Sequence, residues 1–174
     1  MKVSVVIPVW NGATVIGGCL DSLEAHSDPA LLEVIAVENG SEDGSAELIA
    51  SRYPRVRLLR QPDNLGFAGG VNAGLLAAQG DVMVLLNQDC VAEAGWLTEL
   101  VKAMKAHPEY GLFGCTLFMP DGSVDHAGAV MSRPEALGSH LTDVSDPRVR
   151  QVEYATGAAL AIRRPVWDKV GRFD

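Results

Sequence analysis

The strongest constraint in the sequence is an alternation that runs through its first 110 residues. Four short apolar bursts occupy Val3–Val9, 34–38, 56–59 and Val82–Leu86. After each burst comes a stretch whose apolar residues recur at helical spacing. Val15, Ile16, Cys19, Leu20 and Leu23 stripe a first helix, which Asp28-Pro29 ends. Ala46, Leu48 and Ile49 mark a second, which stops before Pro54 because the residue ahead of a proline disfavours helix. Residues 68–79 predict a third despite their glycines. Leu97, Leu100, Val101 and Met104 stripe a fourth that ends near His107-Pro108. A nearly continuous apolar burst suits a strand covered on both faces. The pattern therefore predicts an α/β domain: a mostly parallel sheet flanked by helices, with right-handed crossovers.

Beyond Tyr110 the pattern changes. Residues 112–119 and 123–131 predict two strands around the turn Pro120-Asp121-Gly122, a small antiparallel hairpin. Residues 133–148 are polar and predict an irregular loop. Further strands are expected at 149–154 and 158–162, and a short helix at 165–170 with proline in its favoured first position.

Charge narrows the choice of partner. Lys and Arg number 14 against 22 Asp and Glu, a net charge of -8, with no basic cluster. A nucleic-acid polymer, which needs Lys and Arg to displace counterions, is excluded as an expected partner. A small anion remains compatible, held by backbone N–H groups or a cation. The 3 cysteines, without C-x-x-C spacing, argue against a disulfide framework or zinc and for a reducing, cytoplasmic compartment. No apolar run approaches the roughly 20 residues a membrane helix needs. The opening MKVSVVIPVWNG reads as a strand rather than a leader, because it holds Pro8, turns at Asn11-Gly12 and has no cleavage pattern.

Ligands of open parallel sheets bind outside the carboxyl ends of the strands. There the sequence places Pro8, Trp10 and Asn11, then VENGSEDGS, NLGFAGGVNAG and NQD. A carboxylate such as Glu38, beside Asn39, can accept from the N3–H of uracil or thymine or from ribose hydroxyls. Ser41, Asp43 and Ser45 are expected as helix N-caps. Gly66, Gly69, Gly70 and Gly74 each cost up to ~1 kcal/mol in a helix relative to alanine. Two explanations stay open: approach of a nucleotide to the helix N-terminus, or close helix–sheet packing. Asn72 on that helix is either a ligand contact or a plain surface residue. Asp89 would be repelled by a diphosphate unless a divalent cation, Mg²⁺ or Mn²⁺, sat between them; its plain reading is a cap. Neither G-x-G-x-x-G nor a P-loop motif occurs, which excludes a dinucleotide dehydrogenase and a P-loop enzyme.

In order along the chain, VSVVIPVWNG, VENGSEDGS, NLGFAGGVNAG, LLNQDC and TGAALAIRRPVWDKVGRFD resemble family 2 glycosyltransferases of the GT-A fold. The chain looks most like rhamnosyltransferase-type members that build bacterial cell-surface and cell-wall polysaccharide. The resemblance implies a GT-A-like nucleotide-diphospho-sugar transferase fold in one domain, 1–174. Residues 1–110 would be its nucleotide-binding half and 111–174 the start of an acceptor-side half. It implies an inverting, metal-dependent transfer of a sugar, rhamnose being one candidate. The donor would be a dTDP- or UDP-sugar and the acceptor a saccharide or a lipid-linked molecule. Pro8, Asn11, Glu38, Asn39, Asp43, Gly66, Gly69, Asn72 and Asn87 fall in the implied nucleotide-binding set. Asp89 falls at the metal ligand, and Gly157 and Arg163 in the later acceptor-side segment. Three departures stand out. Glu38 replaces the usual Asp, Asn87 replaces the first Asp of D-x-D, and the general base is expected in a segment beyond Asp174. Asp125 and His126 offer another base, although a polar pair on a hairpin more often serves structure. Lipid-linked acceptors would place the protein peripherally at the inner face of the membrane. The alternatives are a sugar nucleotidyltransferase, which wants a Gly-rich basic loop where PVWNGAT stands, and an inactive nucleotide-sugar-binding fragment.

Overall fold

The computed structural model describes residues 1–132, 138–146 and 148–174. The four bursts form β1 (Val3–Val9), β2 (Leu31–Asn39), β3 (Arg57–Gln61) and β4 (Val82–Leu86). All four run parallel, and β10 (Ala159–Arg163) joins antiparallel between β4 and β5 (Leu112–Gly114). The resulting sheet has the order β3-β2-β1-β4-β10-β5. The helices are α1 (Ile16–Ala25), α2 (Ser45–Arg52), α3 (Gly66–Ala77), α4 (Trp96–Ala106) and α5 (Arg164–Val170).

Strand periodicity sorts the core into two layers. Val3, Val5, Ile7 and Val9 of β1 face α1, α2 and α4, packing with Ile16, Leu20, Ile49, Leu97 and Met104. Val6 faces the other way, with Ile35, Val37, Met83 and Leu85, onto Val71 and Leu75 of α3 and Trp167 of α5. Both faces of the central strands are thus covered, as their apolar sequences require. Among the described residues no helix is long and apolar enough to cross a membrane.

Two adjacent arginines tie this sandwich together. Arg163 sends its guanidinium to one face, donating to the carbonyls of Met104, His107 (3.2 Å) and Tyr110 (2.8 Å) at the end of α4. Arg164 turns to the other and donates to Ala78 and Gly80 just past α3, both at 2.8 Å. Each cation satisfies carbonyls at or just past a helix C-terminus, where the helix dipole also favours positive charge. Arg163, expected in an acceptor-side role, is therefore engaged in joining α4 to β10.

The second half departs from the sequence expectation. The first expected strand divides into β5 and β6 (Leu117–Phe118). The second divides into β7 (Val124–His126) and β8 (Ala129–Met131), with Gly128 at φ 97° making the break. β6 and β7 do form the expected hairpin. The stretch expected as irregular contains β9 (Gly138–His140), paired antiparallel with β8; 133–137 and 147 of that stretch lie outside the described residues. Residues 149–154 make only a single bridge, Tyr154 to Ala129, because neither of their faces is buried and nothing pins them as a strand.

Helix–sheet packing accounts for one of the glycines of α3. A Cβ on Gly74 would stand 2.2 Å from Val6 Cγ1 and 2.8 Å from Val37 Cγ2. Gly74→Ala is expected to destabilise the fold by ~1–3 kcal/mol through overpacking. Gly18→Ala, where a Cβ would meet nothing within 4 Å, should stabilise α1 by ~0.5–1 kcal/mol. Urea unfolding of the two variants checks the opposite signs.

Candidate functional site

Successive connections from β1 lead to β2 and β3 on one side, and the next returns to β4 on the other. The carboxyl ends of β1 and β4 therefore flank the topological switch point, where open α/β sheets bind ligands. A cleft of about 380 Å³ lies there. Pro8, Val9 and Trp10 come from the end of β1 and Asn39 from β2. Asn64, Gly66 and Phe67 come from the approach to α3, and Asn87, Gln88 and Asp89 from the end of β4.

The rim is built by side chains accepting backbone N–H groups of neighbouring loops. Ser41 Oγ accepts from Asn11 N–H at 3.0 Å and Ser45 Oγ from Gly12 N–H at 2.9 Å. The Asp43 carboxylate accepts from Ala13 N–H (2.8 Å), from Ser45 N–H (3.0 Å) and from the Ser45 hydroxyl. Asn11, in the left-handed region at φ 46°, accepts from Glu42 N–H at 3.0 Å. The first two loops are zipped together by these contacts. The capping expectation is corrected for Ser41 and Ser45: the N-cap position of α2 is Gly44, and of the three expected residues only Asp43 receives an N–H of the first turn, that of Ser45. The hydroxyls instead serve donors 30 and 33 residues away, beyond the reach of local reading.

Glu38 and Asn39 are almost fully buried, with 5% and 3% exposure. Glu38 Oε1 accepts from Ser41 N–H at 2.5 Å and closes the turn after β2. The Asn39 amide donates to Asn64 Oδ1 and Gly66 O and accepts from Leu65 N–H, each at 3.0 Å. Asn39 thus sets the loop that delivers Gly66 and Phe67 to the cleft. Gly66 opens α3 at φ 70°, a conformation that favours glycine. Gly69 lies against Leu65 rather than on the cleft wall. Asn72 also stands apart from the cleft lining; its amide clasps the backbone of Phe173, donating at 2.8 Å and accepting at 3.0 Å.

Four contributors were not assigned from sequence. Gln88 brackets the backbone of Trp10, accepting at 3.0 Å and donating at 3.1 Å, and so fastens β4's tip to β1's. Its partner is 78 residues distant, so no local signal marks it. Trp10 and Phe67, each 53% exposed, flank the cleft as aromatic surfaces, and Asn64 supports the same wall. An exposed Trp at the end of a buried strand was the available signal.

Asp89 is exposed on the cleft, and its carboxylate makes no hydrogen bond or ion pair among the described residues. Those residues contain no cluster of three or more His, Cys, Asp or Glu that would make a self-sufficient metal site. One free carboxylate beside the Asn87 amide still fits Mg²⁺ or Mn²⁺ of the kind that completes its shell with phosphate oxygens and water. The cysteines near this loop are held as thiols: burial pushes the Cys19 thiol up to about 12 and raises Cys90. A larger cavity of about 850 Å³ lies between α4, β5 and residues 144, 146 and 148–155, shares no lining residue with the cleft and is rimmed by charges of both signs. His126 lines that cavity and not the cleft, which separates it from the ligand-facing residues.

An open α/β sheet with a cleft at its switch point and a free carboxylate on the rim has the arrangement in which such folds bind their ligands. The description "Glycosyl transferase family 2" matches residues 4–163, and the chain belongs to this family. It is 29% identical to an N-acetylglucosaminyl-diphospho-decaprenol L-rhamnosyltransferase of Mycobacterium tuberculosis, over 82% of this chain and 55% of that one. The first curated relatives are all longer, and the chain spans 55% or less of their length. Its fold matches the mannosyltransferase PcManGT from Pyrobaculum calidifontis, solved with GDP-Man and Mn²⁺. The TM-score is 0.73 at 21% identity, over 99% of this chain and 47% of that one. It also matches Staphylococcus aureus TarS 1–349 with UDP-GlcNAc, with a TM-score of 0.61 at 20% identity over 67% of this chain and 34% of that one. The fold is that of GT-A glycosyltransferases.

The Ser45 hydroxyl, above all, and the Ala13 and Ser45 N–H groups hold the Asp43 carboxyl below its ordinary 3.8. A depressed folded-state value gives stability that is present above the unfolded value and lost as pH falls through the folded one. Wild type should therefore lose stability between about pH 5 and about pH 3, and Asp43→Asn should show a flatter decline. Urea midpoints at the two pH values test this; parallel declines would contradict it.

Proposed function

We propose that the cleft binds the nucleotide-diphosphate part of a sugar donor, and that the domain transfers the sugar with inversion and with a divalent cation. The observation that carries the reading is a free carboxylate, Asp89, on the same small cleft as exposed Trp10 and the N-terminus of α3. In this reading Trp10 stacks on the base, Glu38 and Asn39 shape the base end, and Gly66 lets the diphosphate approach the free N–H groups of α3. Pro8, Asn11 and Asp43 hold the first loop in place, and Gly69 and Asn72 act through the packing of α3 rather than by contact. Asp89, with Asn87 beside it, would hold Mg²⁺ or Mn²⁺. A bound cation would supply charge neutralisation for the departing diphosphate. The GDP-Man and Mn²⁺ of the Pyrobaculum neighbour support that assignment by analogy of fold.

In an inverting transfer the acceptor hydroxyl attacks the anomeric carbon opposite the diphosphate, the new C–O bond forms as the old one breaks, and a base takes the hydroxyl proton. Asp89 is the sole carboxylate among the described cleft-lining residues and in this reading is committed to the cation, so the base is a different group. The Mycobacterium relative's name supports a rhamnosyl donor and a lipid-linked acceptor, and with them a peripheral membrane setting. That the cleft is open rather than filled by its own side chains supports binding over an inactive module.

Calorimetric titration with UDP and dTDP, with and without Mn²⁺, tests this. Wild type is expected to bind more tightly with Mn²⁺. Asp89→Ala should weaken the Mn²⁺-supported binding about tenfold or more, ~1.4 kcal/mol, and Trp10→Ala should cost ~1–3 kcal/mol of base stacking in either condition. Equal binding by Asp89→Ala and wild type would remove the cation assignment. No affinity for either nucleotide would remove the reading itself.

A further inference from the structure

The binding role leaves one buried polar group unused. His126, at the end of β7, is 2% exposed. The backbone N–H of Thr156 meets its Nε2 at 3.3 Å. A backbone N–H can only donate, so Nε2 accepts and the neutral ring carries its hydrogen on Nδ1. Nδ1 is buried and has no partner among the described residues. An apolar side chain would avoid that unpaired donor, so packing alone does not account for a histidine here.

From Thr156 the contacts lead to the cleft. Thr156 Oγ1 accepts from Ala158 N–H at 3.3 Å, and the Ala158 carbonyl accepts from Asn87 N–H at 2.9 Å. Between them Gly157 lies on the Phe67 ring, where an added Cβ would stand 3.6 Å from Cζ. Asn87 and Phe67 are both on the cleft wall. One short turn therefore anchors the polar tip of β4 and backs the aromatic wall, and His126 receives that turn's first N–H.

We propose that His126 is a positioning residue: its neutral imidazole holds residues 156–158 so that Ala158 fixes Asn87 and Gly157 backs Phe67. The functional consequence, tighter nucleotide binding, rests on the donor-site reading above; the positioning itself does not. Among the described residues three titratable groups are close to the ring. Asp125 is adjacent on β7, His140 of β9 lies edge-on at 4.6 Å between centroids, and Tyr154 lies at 6.2 Å. Burial and the nearby His140 hold the imidazole below its ordinary value, against the opposing pull of Asp125. A proton added to Nε2 would confront the Thr156 N–H and break the contact.

Amide hydrogen exchange by NMR on wild type, His126→Phe and His126→Gln tests the proposal, with a UDP titration in Mn²⁺ alongside. His126→Phe keeps a ring but no acceptor. It is expected to speed exchange at Thr156 and Asn87 at least ~tenfold while leaving Val6 and Ile35 unchanged. Glutamine can place an oxygen near the Nε2 position and should restore wild-type exchange and UDP affinity. Unchanged exchange at Thr156 and Asn87 in His126→Phe overturns the proposal, as does His126→Gln behaving like His126→Phe. Should His126→Phe fail to fold, acid titration of wild type decides. The Thr156 and Asn87 amide shifts must follow the His126 ring protons, and their failure to do so overturns the proposal. Expected exchange effects in a chain that binds no UDP would uphold the positioning role and count against the donor-site reading instead.

Discussion

Backbone N–H groups at the ends of buried parallel strands must find acceptors, and here side chains from neighbouring loops supply them. Ser41, Ser45 and Asp43 receive the first loop, Asn39 receives the third, and Gln88 ties β4 to β1. The loops around the switch point therefore form one connected rim instead of independent turns. The cleft owes its shape to this cross-bracing. A diphosphate and a cation need groups held at fixed separation, and flexible turns would lose that on binding.

The rim separates two kinds of polar residue that look alike in sequence. Trp10, Asn87 and Asp89 face the cleft. Asn11, Asp43, Ser41 and Ser45 are occupied with one another's loops, and Arg163 and Arg164 hold α4 and α3 to the sheet. Substituting the second group disturbs the geometry of the rim or the sheet and carries a stability cost with it. Substituting the side chains of the first group alters the cleft wall and leaves those hydrogen bonds in place. The distinction assigns roles that residue type alone leaves ambiguous.

The parallel half of the fold was legible because a long periodic signal is hard to mimic: the expected strands Val3–Val9 and Val82–Leu86 have those same ends in the structure. The second half was not, because its strands are two or three residues long around Gly128 and much of 149–154 has no buried face. For the site, location was legible and function within it less so. Polar residues at strand ends pointed to the rim, but whether Ser45 caps its own helix or receives Gly12 depends on a contact spanning 33 residues. Gln88 and His126 were obscured for the same reason, since their partners, Trp10 and Thr156, come from distant loops. Gly74 showed its cost in the helix, while the reason for it, the approach of Val6, belongs to tertiary packing.

The central claim is that one cleft at the β1–β4 switch point gathers a cation and a nucleotide. Paramagnetic broadening of amide resonances by Mn²⁺ in the presence of UDP tests it most directly. The account predicts broadening centred on Asn87 to Cys90, extending to Trp10 and to Gly66 and Phe67, and dependent on UDP. Broadening centred on the acidic surface loops near Asp121 or Asp146, or indifferent to UDP, would contradict it.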